Sequence, residues 1–171
     1  MEGKERRELL IKLLTESREP ISGTELAKKL GVSRQVIVQD IALLRAVNKN
    51  ILSTTKGYMI YLQEEQKVNR AFLVKHTTDE IEDELCTIVD NGGKVLNVIV
   101  SHDLYGEIAA DLIIKNRQDV YDFVKHVKSK NTVPLKELTD GIHLHTVEAD
   151  SEEILDKIEA ALKTKKYLVN P

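Results

Sequence analysis

The chain has 171 residues, 42% of them hydrophobic and 31% charged, with one cysteine and no tryptophan. That is ordinary globular material, long enough for two small packed domains. It excludes a disulfide scaffold, since Cys86 has no partner. No apolar run approaches a membrane span and no signal peptide opens the chain, so a cytoplasmic protein without a membrane partner is expected.

The net charge of −3 is unevenly spread: residues 1–62 carry 11 Lys+Arg against 7 Asp+Glu, and the remainder 14 against 21. A basic front ahead of an acidic back fits contact with a polyanion at one end only.

In chain order, residues 4–17 have the pattern of an amphipathic helix with Leu10, Leu13 and Leu14 inward. Pro20 blocks its continuation. Ser22 and Glu25 have capping-box spacing at the start of a short helix, with Leu26 and Leu30 on its inner face. Gly31 ends that helix, glycine being the residue that takes a left-handed conformation without steric cost. Ser33 caps the next, whose inner stripe is Ile37, Ile41 and Leu44.

Two short helices around a glycine turn make a helix-turn-helix. Its second helix keeps Arg34, Gln35, Gln39 and Arg45 outward, with the smaller Val38 and Ala42 between them. Arginine can pair guanine and glutamine adenine through two hydrogen bonds each, so this face suits double-stranded DNA. The strand-prone runs ILSTT and YMIYL follow, joined by Lys56-Gly57 as a hairpin. A hairpin behind a helix-turn-helix is a winged helix, and Lys56 at the wing tip can meet a phosphate. The expected DNA-contacting residues are Ser33, Arg34, Gln35, Gln39 and Lys56.

The segment GVSRQVIVQDIALLR with its wing resembles the helix-turn-helix of bacterial metabolite-sensing repressors, biotin repressors among them, over residues 5–62. The first domain is therefore expected over 1–62 and a polar linker over 63–68, leaving 69–171 for the second.

In that second part RAFLVKH has the composition of a strand, and residues 78–90 that of a helix opened by a Thr77/Glu80 capping box. NGG stops the helix. KVLNVIV and EIAADLII are strands turned by HDLYG, and a helix spans 117–130 with Val120, Phe123, Val124 and Val127 inward. The segment PLKELTDGIHLHTVEA is expected to be a hairpin around Asp140-Gly141. A helix over 151–165 and a short YLV strand close the chain. The fold class is α+β: a winged helix-turn-helix, then a ferredoxin-like-related α/β sandwich of order β-α-β-β-α-β with an added hairpin arm, helix and strand.

Four of the five histidines ask for an explanation. In GIHLHTV, side chains alternate, so His143 and His145 share one face about 7 Å apart along the strand, and Ile142 and Leu144 share the other. His76 ends a strand just before a helix, His102 ends another, and His126 falls off the apolar stripe of its helix. On the helix after His76, Glu84 lies along the stripe Ile81, Leu85, Ile88, Val89, whereas Asp79, Glu82 and Asp83 point elsewhere. A carboxylate turned to a core is costly unless neutralised. A divalent transition metal (zinc, nickel or iron) held by His76, Glu84, His143 and His145 would neutralise it. Two plainer readings stay open: the histidine pair as a polar strand face, and Glu84 reaching solvent at the stripe edge.

VKH, HDLYGEI and GIHLHTVEA, in this order behind a helix-turn-helix, resemble the 3H domain. Over residues 5–168 the chain resembles the nicotinate-responsive repressors of NAD biosynthesis. The resemblance implies the same four metal ligands, a homodimer, operator DNA as partner, and nicotinic acid as effector. His102 and Tyr105 are placed near that site. A metal-dependent hydrolase with an appended helix-turn-helix is the alternative, but four protein ligands fill a tetrahedral site and no second inward acid offers a base. A biotin-ligase-type repressor would need more chain after the wing. A repressor sensing a different small acid stays open.

Overall fold

The computed structural model describes residues 2–47, 50–62, 66–129 and 133–170. The chain divides into two compact units, Met1–Gln63 and Glu64–Pro171.

The first unit contains α1 (Gly3–Glu16), α2 (Gly23–Leu30), α3 (Arg34–Ala46) and the antiparallel pair β1 (Ile51–Thr54) and β2 (Gly57–Ile60). Its core is Leu10, Leu14, Leu26, Leu30, Ile37, Ile41, Leu44 and Ile51, with Leu13 half-buried beside it. The caps form as the sequence implies. Ser22 Oγ accepts from Glu25 N–H at 3.1 Å and Ser33 Oγ from Val36 N–H at 3.3 Å. Gly31 turns left-handed at φ 66°. Asp40 is the one buried carboxylate of α3. It accepts Arg6 Nε at 2.6 Å and Arg7 Nη1 at 3.3 Å, pinning α3 to α1.

The wing differs by one residue from the expected hairpin. Thr55 and Lys56 form the turn, and Gly57 is the first residue of β2, paired with Thr54. The reason is a third partner. Ile21, just before α2, bridges Tyr58 with N–H···O bonds of 2.8 and 2.9 Å. Gly57, at φ 142°, lies so close to this segment that an added Cβ would sit 2.3 Å from Ile21 O. Glycine here serves a close backbone approach rather than the turn itself.

The second unit runs β3 (Val68–Lys75), a 3₁₀ turn (Thr78–Glu80), α4 (Ile81–Asp90), β4 (Lys94–His102), β5 (Gly106–Ile114), α5 (Arg117–Ser129), a second 3₁₀ turn (Leu135–Thr139), β6 (Ile142–Ala149) and α6 (Glu152–Thr164). Of the linker expected over 63–68, residues 63–65 lie outside the described residues, and Val68 already begins β3. Lys130, expected to end α5, lies outside them too.

The β-α-β-β-α-β succession is present, followed by α6. The sheet order is β3-β6-β4-β5, antiparallel throughout. The unit's first and second strands thus run parallel with one strand between them, the split β-α-β arrangement. In a ferredoxin-like sheet the third strand takes that middle place; here the fourth, β6, takes it. This puts the histidine strand at the centre of the sheet.

Two details correct the sequence expectation. PLKELTDGIHLHTVEA is not a hairpin, because Leu135–Thr139 winds as a 3₁₀ turn. Asp140 and Gly141, both at positive φ (55° and 83°), end that turn and launch β6. A turn signal fixes a change of direction, not the kind of element before it. The YLV strand shrinks to one antiparallel bridge, Leu168 to Val74, on the free edge of β3.

The core lies between one sheet face and the helices, and includes Phe72, Val74, Leu85, Ile88, Val95, Val147, Leu155, Ile158 and Leu162. Gly93 is needed there, since a Cβ would approach Ile158, Ile88 and Val147 at 2.7–2.9 Å.

Gly57→Ala should destabilise the winged unit by on the order of 3 kcal/mol, combining a disfavoured φ with a backbone clash. Denaturant unfolding followed by circular dichroism measures it; a variant as stable as the parent would remove the Ile21 bridge from the account.

Candidate metal centre and nucleic-acid face

The chemistry of the second unit gathers around Glu84. Its side chain is fully buried on the first turns of α4, where the helix stripe carries it inward beside Ile81, Leu85 and Ile88. His76 Nε2 lies 3.5 Å from one carboxylate oxygen and His145 Nε2 3.5 Å from the other. Candidate ligand atoms of His76, Glu84 and His143 all lie within 4.8 Å of one another. The rings of His143 and His145 stand edge-on at 4.7 Å, and those of His76 and His143 at 4.8 Å. The structure brings all four predicted ligands together. Neither plainer reading holds, because His143, His145 and Glu84 are all buried.

Each imidazole is oriented from behind. His76 Nδ1 lies 2.8 Å from Thr77 O, His143 Nδ1 2.9 Å from Gly141 O, and His145 Nδ1 2.7 Å from Asn97 O. A carbonyl can only accept, so each Nδ1 carries the hydrogen, and in the neutral ring each Nε2 keeps a lone pair. Metal-binding histidines are held in the same way, by a second hydrogen bond that fixes the tautomer.

Local sequence supplies the carbonyls. The Thr77/Glu80 capping box closes, with Thr77 N–H donating to Glu80 Oε2 at 2.8 Å, which sets the bend after His76. Gly141 approaches so closely that a Cβ would lie 2.8 Å from His76 O. Asn97 sits in a bulge. Val95 pairs Val147 and Ile99 pairs Leu144, leaving β4 one residue long against β6. On the other side β5 is itself one residue long against β4, with Ile113 left-handed at φ 54°. Bulges of this kind free backbone groups beside functional sites.

Burial alone would push the Glu84 carboxyl up; His145 and then His76 outweigh it and hold it well below the usual carboxylate range. For His143, burial and the neighbouring His145 charge push the imidazole down to about 3. His145 goes the other way: burial lowers it, but the Glu84 charge carries it above its ordinary value.

Neither Glu84 oxygen, nor His76 Nε2, has a hydrogen-bond partner of proper geometry among the described residues, although all are buried. A buried carboxylate beside imidazole lone pairs is a poor hydrogen-bonded cluster and a good donor set for a transition metal.

Sequence reasoning missed two residues here. Asn97 is signalled by an amide inside the apolar run KVLNVIV. Tyr167 packs its ring 5.7 Å from His76 and donates its hydroxyl to Asp83 at 2.7 Å; nothing in the sequence ties it to the site. His102 and Tyr105 stay with their own hairpin tip. His102 Nδ1 accepts from Leu104 N–H at 3.1 Å and Tyr105 N–H at 3.3 Å, and the two rings lie 5.0 Å apart. Neither touches the cluster, but strand alternation from Ile99 puts His102 on the histidine face. His126 is half-buried on α5 and takes no part.

In the first unit, Ser33, Arg34, Gln35, Val38, Gln39, Ala42 and Arg45 are all exposed, leaving an unobstructed helix face. Arg34 also lies along Gly23, whose added Cβ would stand 3.5 Å from its Nε. Lys56 is exposed at the wing turn. No helix among the described residues is long and apolar enough to cross a membrane.

Comparison with known proteins gives a family match for each unit. The HTH domain family matches residues 6–59 and the 3H domain family residues 69–171. The chain is 43% identical to a probable transcription repressor, NiaR, of Thermotoga maritima, over 96% of this chain and 94% of the relative. It is 42% identical to the transcription repressor NadR of Bacillus subtilis, over 98% and 94%.

In protein stripped by chelator, Glu84→Leu should leave stability unchanged or raise it, because a buried carboxylate without a hydrogen-bond partner among the described residues gives way to an apolar group of similar volume and the imidazoles can stay neutral. A large loss in denaturant midpoint would mean that the imidazoles alone satisfy the carboxylate.

Proposed function

The chain belongs to the family of transcription repressors that join an HTH domain to a 3H domain, and not to a family of enzymes; from that premise we propose how it works. It is a cytoplasmic, homodimeric repressor of genes of NAD and niacin metabolism. It binds double-stranded operator DNA, carries a divalent transition metal in its 3H domain, and takes nicotinic acid as co-repressor.

The observation that carries the metal assignment is the set of lone pairs around Glu84. Three imidazoles hand Nδ1–H to backbone carbonyls, and two of them lie 3.5 Å from its oxygens by Nε2. His76, Glu84, His143 and His145 would hold the ion, whose positive charge would neutralise the carboxylate and offer an anion a partner. Three nitrogens and one oxygen suit zinc, nickel or iron and not calcium or magnesium.

Support for the dimer comes from the sheet face opposite the histidines. Leu144 pairs Leu73 on one side and Ile99 on the other, and Ile142 follows two residues earlier. All four are partly accessible, so an apolar patch lies across three strands. A second copy is its simplest cover, and two-fold symmetry would present paired recognition helices to paired half-sites. The DNA contacts fall to Arg34, Gln35 and Gln39 for bases and to Ser33 and Lys56 for phosphates. His102 and Tyr105 offer an imidazole and an exposed ring to an aromatic acid.

Metal analysis of purified protein should give one transition-metal ion per chain, strongly reduced in His143→Ala and unchanged in His126→Ala. Equal content in the two variants would sink the ligand assignment. Anisotropy of labelled operator should show tighter binding with nicotinate than with nicotinamide. The expected coupling is about 5- to 150-fold, and operator should tighten nicotinate binding by the same factor. Arg34→Ala should cost about 1–3 kcal/mol of operator affinity in either condition. Identical curves with and without nicotinate would leave a DNA-binding repressor with another effector.

A further inference from the structure

Beside the histidine cluster lies a buried cation that nothing above uses. Lys136, in the 3₁₀ turn before β6, has a side chain only 4% exposed. Its ammonium donates to Glu137 Oε1 at 2.6 Å, and among the described residues this is its one acceptor. Glu137 is 41% exposed, and the same oxygen accepts Thr78 Oγ1–H at 2.7 Å. Both ends of this arrangement adjoin the cluster. Thr78 stands two residues after His76. The Lys136 carbonyl accepts Gly141 N–H at 2.8 Å, and Gly141 O is the acceptor that orients His143.

A buried ammonium needs a carboxylate, but not this one in particular. Glu137 can swing into water at little cost, whereas Lys136 cannot leave, and losing its partner outright would strand a buried charge. Exchanging one carboxylate for another keeps the charge paired throughout.

We propose that Lys136 is the anchor for the effector's carboxylate: a small monocarboxylic acid replaces Glu137 on the ammonium, and the released Glu137 lets go of Thr78 in the segment that carries His76. This rests on the small-acid reading of the 3H domain and deepens it. Glu137 is then the built-in stand-in for the ligand. Discrimination of an acid from its amide follows directly, because a neutral amide cannot take over the pairing of a buried cation. The exchange also links ligand to metal site through covalent chain, two residues from Thr78 to His76 and one hydrogen-bonded glycine from Lys136 to His143.

The test is calorimetric titration of the full-length, metal-loaded protein with nicotinate, benzoate and nicotinamide. The parent is compared with Lys136→Met, Lys136→Arg and Glu137→Gln, with metal content and thermal unfolding measured for each. Lys136→Met should weaken nicotinate binding at least about tenfold, the loss of one charge-assisted hydrogen bond, with metal content unchanged. Lys136→Arg should recover part of it. Glu137→Gln, which keeps an amide oxygen for the ammonium but leaves its charge unmatched, should tighten binding of the acids and not of the amide. Nicotinate affinity unchanged in Lys136→Met and Glu137→Gln overturns the anchor while leaving nicotinate as effector. Benzoate binding that depends on Lys136, without nicotinate binding, keeps the anchor and overturns nicotinate. A parent that binds neither acid overturns both. Should Lys136→Met fail to fold, Glu137→Gln decides alone: no gain for the acids ends the proposal.

Discussion

The second unit depends on one carboxylate in the wrong place. Glu84 is fully buried on a helix stripe that would otherwise be apolar, and both its oxygens face imidazole nitrogens. An isolated carboxylate there would cost several kcal/mol, and the polar groups that face it are imidazole nitrogens. The central place of β6 in the sheet delivers two histidines to that point. The capped bend after β3 delivers the third. Gly141 joins the two deliveries, since only a residue without Cβ lets its backbone pass His76 at the observed distance.

The bulge in β4 shows how local irregularity serves the same end. A regular ladder would commit the Asn97 carbonyl to a neighbouring strand. With the register slipped, that carbonyl takes the His145 ring N–H, and the Asn97 amide oxygen takes Thr146 N–H. The bulge therefore turns a backbone acceptor into a tautomer lock. Tyr167 acts from the opposite side, its ring against His76 and its hydroxyl on the neighbour of Glu84. The three imidazoles are thus held by hydrogen bonds from the chain itself, an arrangement that would lower the entropy cost of binding an ion.

The first unit follows the same economy with simpler means. One buried aspartate, Asp40, fixes the recognition helix to α1 through two arginines, so α3 keeps a defined orientation while its outer face stays free. The Ile21 bridge does likewise for the wing. Rigid placement matters for a helix that must present several side chains to base edges at once.

The sequence by itself determined the helix starts and stops, the helix-turn-helix, the wing, and the four residues of the candidate centre. Those are local statements: a hydroxyl three residues before a carboxylate, a glycine after the last apolar position, two histidines alternating on one strand, a glutamate at the period of a buried stripe. Each is fixed by backbone geometry within a few residues, so it can be seen without the fold. What only the tertiary structure decided is everything that depends on pairing between distant segments. The wing turn moved by one residue because Ile21, more than thirty positions earlier, claims Tyr58. The stretch before β6 winds as a 3₁₀ turn, although Asp140-Gly141 reads as a hairpin signal, because β6 pairs with β3 and β4 on its two sides and leaves it no partner strand. The strand order, the Asn97 bulge, the Asp40 clasp and the burial of Lys136 likewise come from long-range contacts. Residue spacing carries no record of those contacts, because their free energy is paid out only when the two surfaces meet.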